Sequence, residues 1–338
     1  MQYRTLGKTG LRVSAVGFGG IPIQRINAAG TRVLMERLAE KGVNFIDTAR
    51  GYTVSESYLG EALSGGLRDR FFLATKSMAR DYDGMARDIE RSLANLQTDH
   101  IDLYQLHNIK SDADFALAFS AHGAVAAIED AIRAGKVRHL GATAHSADSF
   151  ERLLDYPQIE TIMFPYNIVE NQGEALMARA AAQGVGVIAM KPLAGGNITD
   201  GTLAVRYILQ NPNCTVAIPG MASLDEIEAN VAAAGTEGPL TAEELAACEA
   251  VRAELSDNFC RRCGYCAPCT AGIDIPSVFV LENYVKRYDL AGWARARYEA
   301  MAVKASACTG CGACETRCPY ELPIREKLRA AAHTFGEA

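Results

Sequence analysis

The chain has 338 residues, 22% of them charged and 49% hydrophobic, with a formal net charge of −6. That balance excludes disordered and fibrous classes, and the length suits one large α/β domain with a small appendage. Mild acidity without a basic run argues against nucleic acid or an anionic membrane as partner, and no apolar run is long enough to span a bilayer. The N-terminus MQYRTLGKTG does not read as a signal peptide, so a cytoplasmic location is expected.

Up to residue 234, short β-branched runs alternate with helix-period segments. Residues Tyr3–Arg12, with Gly7 and Gly10 as turn formers, read as a hairpin. Strands are expected at Val13–Phe18, Val43–Thr48, Phe71–Thr75, Ile101–Leu106, Val137–Ala142, Thr161–Pro165, Val185–Met190 and Thr215–Ile218. The helices between them are expected at Thr31–Lys41, Ser55–Leu63, Met85–Leu96, Val125–Ala134, Ala147–Leu154, Glu174–Gln183, Thr202–Gln210 and Leu224–Ala233. Thr31 and Ser55 stand where N-caps belong, and Gly42, Gly135 and Gly184 where a left-handed C-terminal residue is wanted. Eight strand–helix units over about 230 residues fit a closed (β/α)8 barrel. An open doubly wound sheet is the alternative, but Gly17-Phe18-Gly19-Gly20 lacks its Gly-x-Gly-x-x-Gly turn. The sixteen residues Asn108–Gly123 exceed ordinary loop length and suggest a lid.

Barrel enzymes carry their chemistry at the C-terminal ends of strands. Here those ends hold Asp47 with nearby Tyr52, then Lys76, then His107. A tyrosine is a poor acid at neutral pH unless a cation stabilises its phenolate, and a carboxylate can keep that cation charged. A neutral histidine can polarise a carbonyl. Together the four can protonate an alkoxide formed by hydride attack on a carbonyl, or catalyse the reverse oxidation.

Ten cysteines are the other signal, eight of them between Cys260 and Cys318; Cys214 and Cys248 read as small buried hydrophobes. Cys260, Cys263, Cys266 and Cys269 follow one another at three-residue steps. Cys308, Cys311, Cys314 and Cys318-Pro319 show the bacterial ferredoxin spacing, in which three thiolates bind one cubane and the fourth reaches the other. The two runs lie 48 residues apart, and both continue into similar Pro-containing endings, Ile273–Pro276 and Glu321–Ile324. That duplication points to two clusters. Zinc is the alternative, although zinc knuckles seldom give this run with a terminal Cys-Pro. Helices are expected at Thr241–Leu255, Ser277–Tyr288 and Ala291–Lys304, with Trp293 in a core or interface role.

Asn44–Ala49 with Tyr52, Ala74-Thr75-Lys76 and Asp102–His107 together resemble the aldo-keto reductase superfamily over roughly residues 1–234. The resemblance implies Tyr52 as general acid, Lys76 as its modulator, Asp47 as partner of Lys76 and His107 as carbonyl orienter. It also implies a nicotinamide nucleotide, NADP(H) or else NAD(H), over the strand ends. The nucleotide positions that match are Gly19, Gly20, Asp47, Thr143, Met190, Lys191, Pro192, Leu193, Gly195, Gly220, Glu226 and Asn230. Departures are plain: Gly220 and Glu226 replace a Lys and an Arg useful against a 2′-phosphate, Thr143-Ala144 replaces a Ser-Asn pair, and Met163 and Met190 replace a Gln and a stacking aromatic. The ferredoxin pattern implies that Cys260, Cys263 and Cys266 pair with Cys318, and Cys308, Cys311 and Cys314 with Cys269, whose spacing is one residue short.

The expected architecture is therefore an α/β TIM barrel over 1–240, followed over 241–338 by a linker helix and a C-terminal α-helical ferredoxin-like domain with two [4Fe-4S] clusters. The expected activity is carbonyl reduction or alcohol oxidation on a small molecule, with a redox protein as a further partner. The alternative is an electron-transfer protein whose clusters supply the electrons and whose barrel is a substrate or docking platform.

Overall fold

The computed structural model describes every residue except 237, 256, 257, 263, 319 and 338. Ten strands are described: β1 (Tyr3–Thr5), β2 (Arg12–Ser14), β3 (Phe18–Gly19), β4 (Phe45–Asp47), β5 (Phe72–Ser77), β6 (Ile101–Leu106), β7 (Val137–Thr143), β8 (Thr161–Pro165), β9 (Gly186–Met190) and β10 (Val216–Ala217). Strands β3 to β10 form one parallel sheet in sequence order. Its edges meet: Gly17 N–H donates to Ala217 O at 2.8 Å, Ala217 N–H to Ala15 O at 2.9 Å, and Gly19 N–H to Pro219 O at 2.8 Å. The sheet is a closed barrel.

Around it run α1 (Ala28–Glu40), α2 (Ser55–Ala62), α3 (Tyr82–Leu96), α4 (Asp112–Ala118), α5 (Ala124–Arg133), α6 (Ala147–Leu153), α7 (Glu174–Ala182), α8 (Gly201–Leu209) and α9 (Leu224–Gly235). Strand alternation divides the apolar residues between two layers. Ile46, Leu73 and Tyr104 face the helices, while Phe45, Ala74 and Leu103 fill the barrel interior. Leu6, in the turn of the β1–β2 hairpin, joins that interior, and Lys8 N–H bonds Gly184 O at 2.6 Å. The hairpin thus plugs the barrel end opposite the strand C-termini.

Most elements fall within a few residues of expectation, and Gly42, Gly135 and Gly184 all have positive φ. Four readings change. The first strand splits, because Ser14 Oγ donates to Val16 O and accepts from Asn44 N–H, turning the chain from hairpin to barrel wall. Thr31 lies inside α1, whose cap is Asn27; its hydroxyl back-bonds to Asn27 O. Ser55 caps nothing: its hydroxyl bonds Gly20 O and Thr48 Oγ1, tying α2 to the barrel. The stretch Asn108–Gly123 contains α4, started by a Ser111/Asp114 capping box, and is not an open loop.

The chain divides into two compact units, Met1–Leu193 with Asp200–Thr241, and Ala194–Thr199 with Ala242–Ala338. The second contains α10 (Ala242–Leu255), α11 (Ile275–Lys286), α12 (Ala291–Glu299) and α13 (Ile324–Phe335). Each cysteine run leads through a proline into a helix, Pro276 into α11 and Pro323 into α13, and those two helices pack together. The duplication seen in sequence is thus a structural repeat. Its core includes Val278, Phe279, Tyr298 and Leu328, and Trp293 packs against it, edge-on to Tyr284 and beneath the Arg297 guanidinium. Cys214 and Cys248 are buried.

Candidate active site and cysteine-lined cavities

The inward face that carries Phe45, Ala74 and Leu103 continues, two residues on, into Asp47, Lys76 and Gln105. Lys76 stands opposite Gln105 in the β5–β6 register, and Asp47 opposite Ala74 in β4–β5. Strand geometry therefore turns three polar side chains inward near the strand ends, Lys76 level with Gln105 and Asp47 one inward position before them. Lys76 Nζ donates to Asp47 Oδ2 at 2.5 Å and to Thr48 O at 2.8 Å; Gln105 Nε2 donates to Asp47 Oδ1 at 3.1 Å. Both charged residues are buried. Burial lowers Lys76 from the ordinary ammonium range and raises Asp47 from the carboxylate range, and their mutual attraction opposes both changes.

Tyr52 follows β4 in a tight turn closed by Tyr52 N–H to Ala49 O at 3.0 Å. Lys76 Nζ lies 4.9 Å from its ring centroid. His107 meets the same ring edge-on, with centroids 6.2 Å apart. Arg80 braces His107, donating to His107 O at 2.8 Å and Asn108 O at 3.0 Å and pairing with Asp114 of α4 at 3.3 Å. Burial first, and then the charges of Lys76, Arg80 and Lys191, hold the imidazole well below its ordinary pKa, so it is neutral at pH 7. Its buried Nδ1 has no hydrogen-bond partner among the described residues. Asp47, Tyr52, Lys76 and His107 are thus brought together, with Gln105 and Arg80 as supports that the sequence reading did not single out.

The nucleotide positions fare unevenly. Thr143, at the end of β7, accepts Asn108 N–H at 2.7 Å, which leaves its own O–H proton to give. A Cβ on Gly19 would stand 2.8 Å from Ile218 O, one on Gly20 2.9 Å from Asp47 O, and one on Gly220 2.6 Å from Pro22 Cγ. Wall packing and barrel closure alone therefore demand these three glycines. Met190 is buried in the interior with Met163, while Lys191, with positive φ, and Pro192 and Leu193 continue from β9. Gly195 falls in the Ala194–Thr199 segment of the second unit. Glu226 caps its own helix. Its Oε2 accepts Ala222 N–H at 2.6 Å and Ser223 N–H at 3.2 Å, the capping box of its own helix. Asn230 is buried, and its Oδ1 has no hydrogen-bond partner among the described residues. Asn167, fully buried beyond β8 and donating to Lys191 O at 3.0 Å, is a further rim support absent from the sequence reading.

In the second unit, one pocket is lined by Cys269, Cys308, Cys311 and Cys314. Another is lined by Cys260, Cys266 and Cys318; Cys263 lies outside the described residues. Each cavity thus joins cysteines of one run to the last cysteine of the other. Arg317 ties the runs, donating to Cys266 O at 3.0 Å, Ala267 O at 3.1 Å and Pro268 O at 2.8 Å. Thr270 Oγ1 lies 3.1 Å from Cys311 Sγ, and that contact, first among the causes, holds the Cys311 thiol below its ordinary pKa. Among the described residues, no three His, Cys, Asp or Glu side chains converge on a point as a single-ion site requires. Soft cysteine ligands spread around a shared pocket fit an iron–sulfur cluster.

The aldo/keto reductase family model matches residues 15–202 and 197–253. The chain belongs to the aldo/keto reductase family. A 4Fe-4S dicluster domain model matches residues 259–323. L-Galactose dehydrogenase of Arabidopsis thaliana is 29% identical over 283 residues, covering 69% of this chain and 88% of that protein. An uncharacterized oxidoreductase of Bacillus subtilis, YrpG, is 31% identical, covering 58% and 68%. The holo form of aldo-keto reductase AKR11C1 from Bacillus halodurans superposes with a TM-score of 0.64 at 27% identity, covering 74% of this chain and 96% of that one. This aldo/keto reductase is accordingly an oxidoreductase with a C-terminal 4Fe-4S domain, and its family favours the enzyme over an electron-transfer platform. No described helix is long and apolar enough to cross a membrane.

Proposed function

We propose that this oxidoreductase reduces an aldehyde or ketone to an alcohol, or runs the reverse, with NADP(H) bound across the strand ends of a cytoplasmic enzyme. The observation that carries the reading is the buried Lys76–Asp47 pair beneath Tyr52 with neutral His107 at its edge. A buried ion pair contributes little net stability, because desolvation offsets the attraction, so its place at the barrel mouth favours a chemical role. Bound NADP(H) supplies the hydride. Tyr52 gives its hydroxyl proton to the developing alkoxide, and Lys76, held charged by Asp47, stabilises the phenolate left behind. Neutral His107 donates a hydrogen bond to the carbonyl oxygen as negative charge builds on it. Thr143 and Asn230 offer polar contacts to the nucleotide.

The two cavities support one [4Fe-4S] cluster each, held by Cys260, Cys263, Cys266 and Cys318 and by Cys308, Cys311, Cys314 and Cys269. Such clusters supply one-electron chemistry, which suits a redox protein partner at this unit. The test is an anaerobic fluorescence titration with NADPH and NADH in parallel, followed by aldehyde turnover of Tyr52→Phe. Expected are micromolar binding of a nucleotide and a loss of kcat of roughly 10²–10⁴-fold with binding intact. Binding of neither nucleotide, or unchanged turnover in the variant, overturns the reading.

A further inference from the structure

We infer that Glu56, with Arg50 and Asp88, is a positioning clamp that fixes Lys76 and the Tyr52 turn from outside the barrel. The inference rests on the hydride-transfer reading above. On β5, Lys76 points inward, so its neighbours Thr75 and Ser77 point outward to the helices. Each of those hydroxyls is held by a carboxylate: Thr75 Oγ1 donates to Glu56 Oε1 at 2.8 Å, and Ser77 Oγ to Asp88 Oδ2 at 2.5 Å. Arg50 spans the two carboxylates. Its Nη1 donates to Glu56 Oε2, and its Nε lies 3.8 Å from Asp88 Oδ1. The backbone N–H of Arg50 also donates to Lys76 O at 3.0 Å.

Arg50 lies between Asp47 and Tyr52 in the chain, inside the turn that presents Tyr52. One guanidinium therefore joins the tyrosine turn to both residues flanking the lysine. Glu56 is 1% exposed and accepts two further bonds from α3, Ser92 Oγ at 2.8 Å and Asn95 Nδ2 at 3.2 Å. A carboxylate so deeply buried is expensive where apolar packing would serve stability equally well. Its partners show what it does: four donors from β5, α3 and the tyrosine turn meet on one rigid group. None of the three clamp residues needs to touch substrate; the clamp acts through the distance between Tyr52 and Lys76.

The test is steady-state kinetics with NADPH and a simple aromatic aldehyde on the parent protein, Tyr52→Phe, Glu56→Gln, Arg50→Met, Arg50→Lys and the milder Thr75→Val. Glu56→Gln and Arg50→Met are expected to lower kcat on the order of 10- to 100-fold, as small misplacements of reacting groups do. KM for NADPH should stay nearly unchanged, and the solvent deuterium isotope effect on kcat should rise because proton transfer from Tyr52 becomes harder. Arg50→Lys should recover part of the loss. Should Glu56→Gln not fold, Thr75→Val reads the same isotope effect with the carboxylate kept. Variants that melt earlier but keep the parent's kcat and isotope effect, beside an inactive Tyr52→Phe, overturn the clamp alone. A parent that reduces no aldehyde, or a fully active Tyr52→Phe, overturns the hydride-transfer reading and the clamp with it.

Discussion

His107 is the residue whose environment says most about its state. It is buried beside three cations, so the folded protein keeps it neutral well below the ordinary imidazole pKa. The unfolded chain takes up that proton near pH 6.5, whereas the folded chain does not. Stability is therefore retained above about pH 6.5 and lost as pH falls below it, by up to about 1.4 kcal/mol per pH unit for this one group. Chemical denaturation at pH 7.5 and 5.5 should show that loss in the parent and less of it in His107→Gln; an equal loss in both would assign the pH dependence to other groups. At this scale, the four rim residues were legible because a barrel's chemistry stands at its strand ends. Gln105 was also within reach, since Leu103, Gln105 and His107 share a period of two, but Arg80 and Asn167 act through loop contacts that no local pattern announces. Glu226 adds a local role the sequence reading passed over: Ser223-x-x-Glu226 is a readable capping box.

Helix α2 carries Glu56 and must lie close to α3 to reach Ser92 and Asn95. Gly60 permits that approach: a Cβ there would stand 2.2 Å from Asn95 O and 2.9 Å from the Leu96 carbonyl carbon. Two effects of Gly60→Ala compete. Helix propensity favours alanine by roughly 1 kcal/mol, while overpacking against rigid backbone costs typically 1–3 kcal/mol. The obstacle is backbone, which cannot rotate aside, so the clash should win. Denaturant titration is expected to give a net loss of up to about 2 kcal/mol; a stabilised variant would mean that the two helices part without cost. Element positions were legible where periodicity ran uninterrupted, as in β6 and β8, which fall on the expected residues. They were lost where a side chain's distant partner decided the matter. Ser14 ends a strand by bonding Asn44, and Ser55 leaves a cap position to bond Gly20. Within Asn108–Gly123, length suggested a lid, although Ser111 and Asp114 already spelled the start of α4.

At the scale of the molecule, the two units have separate cores and different reasons to fold. The barrel buries a continuous apolar interior and helix layer, whereas the second unit packs cysteines into its core around two cavities. Groups that bind only the folded state add their binding energy to folding, so iron removal should loosen the second unit selectively. The six residues Ala194–Thr199 make this prediction specific. By sequence they belong to the segment after β9 and include Gly195, one of the positions that resemble a nucleotide site. In the structure they group with the second unit, and Arg287 at the end of α11 donates to Gly196 O at 3.3 Å. Hydrogen exchange on iron-loaded and iron-free protein should therefore show faster exchange in 242–338 and also in 194–199, with β4 to β8 unchanged. Unchanged protection of 194–199 alongside a loosened 242–338 would show that this loop's order does not depend on the clusters.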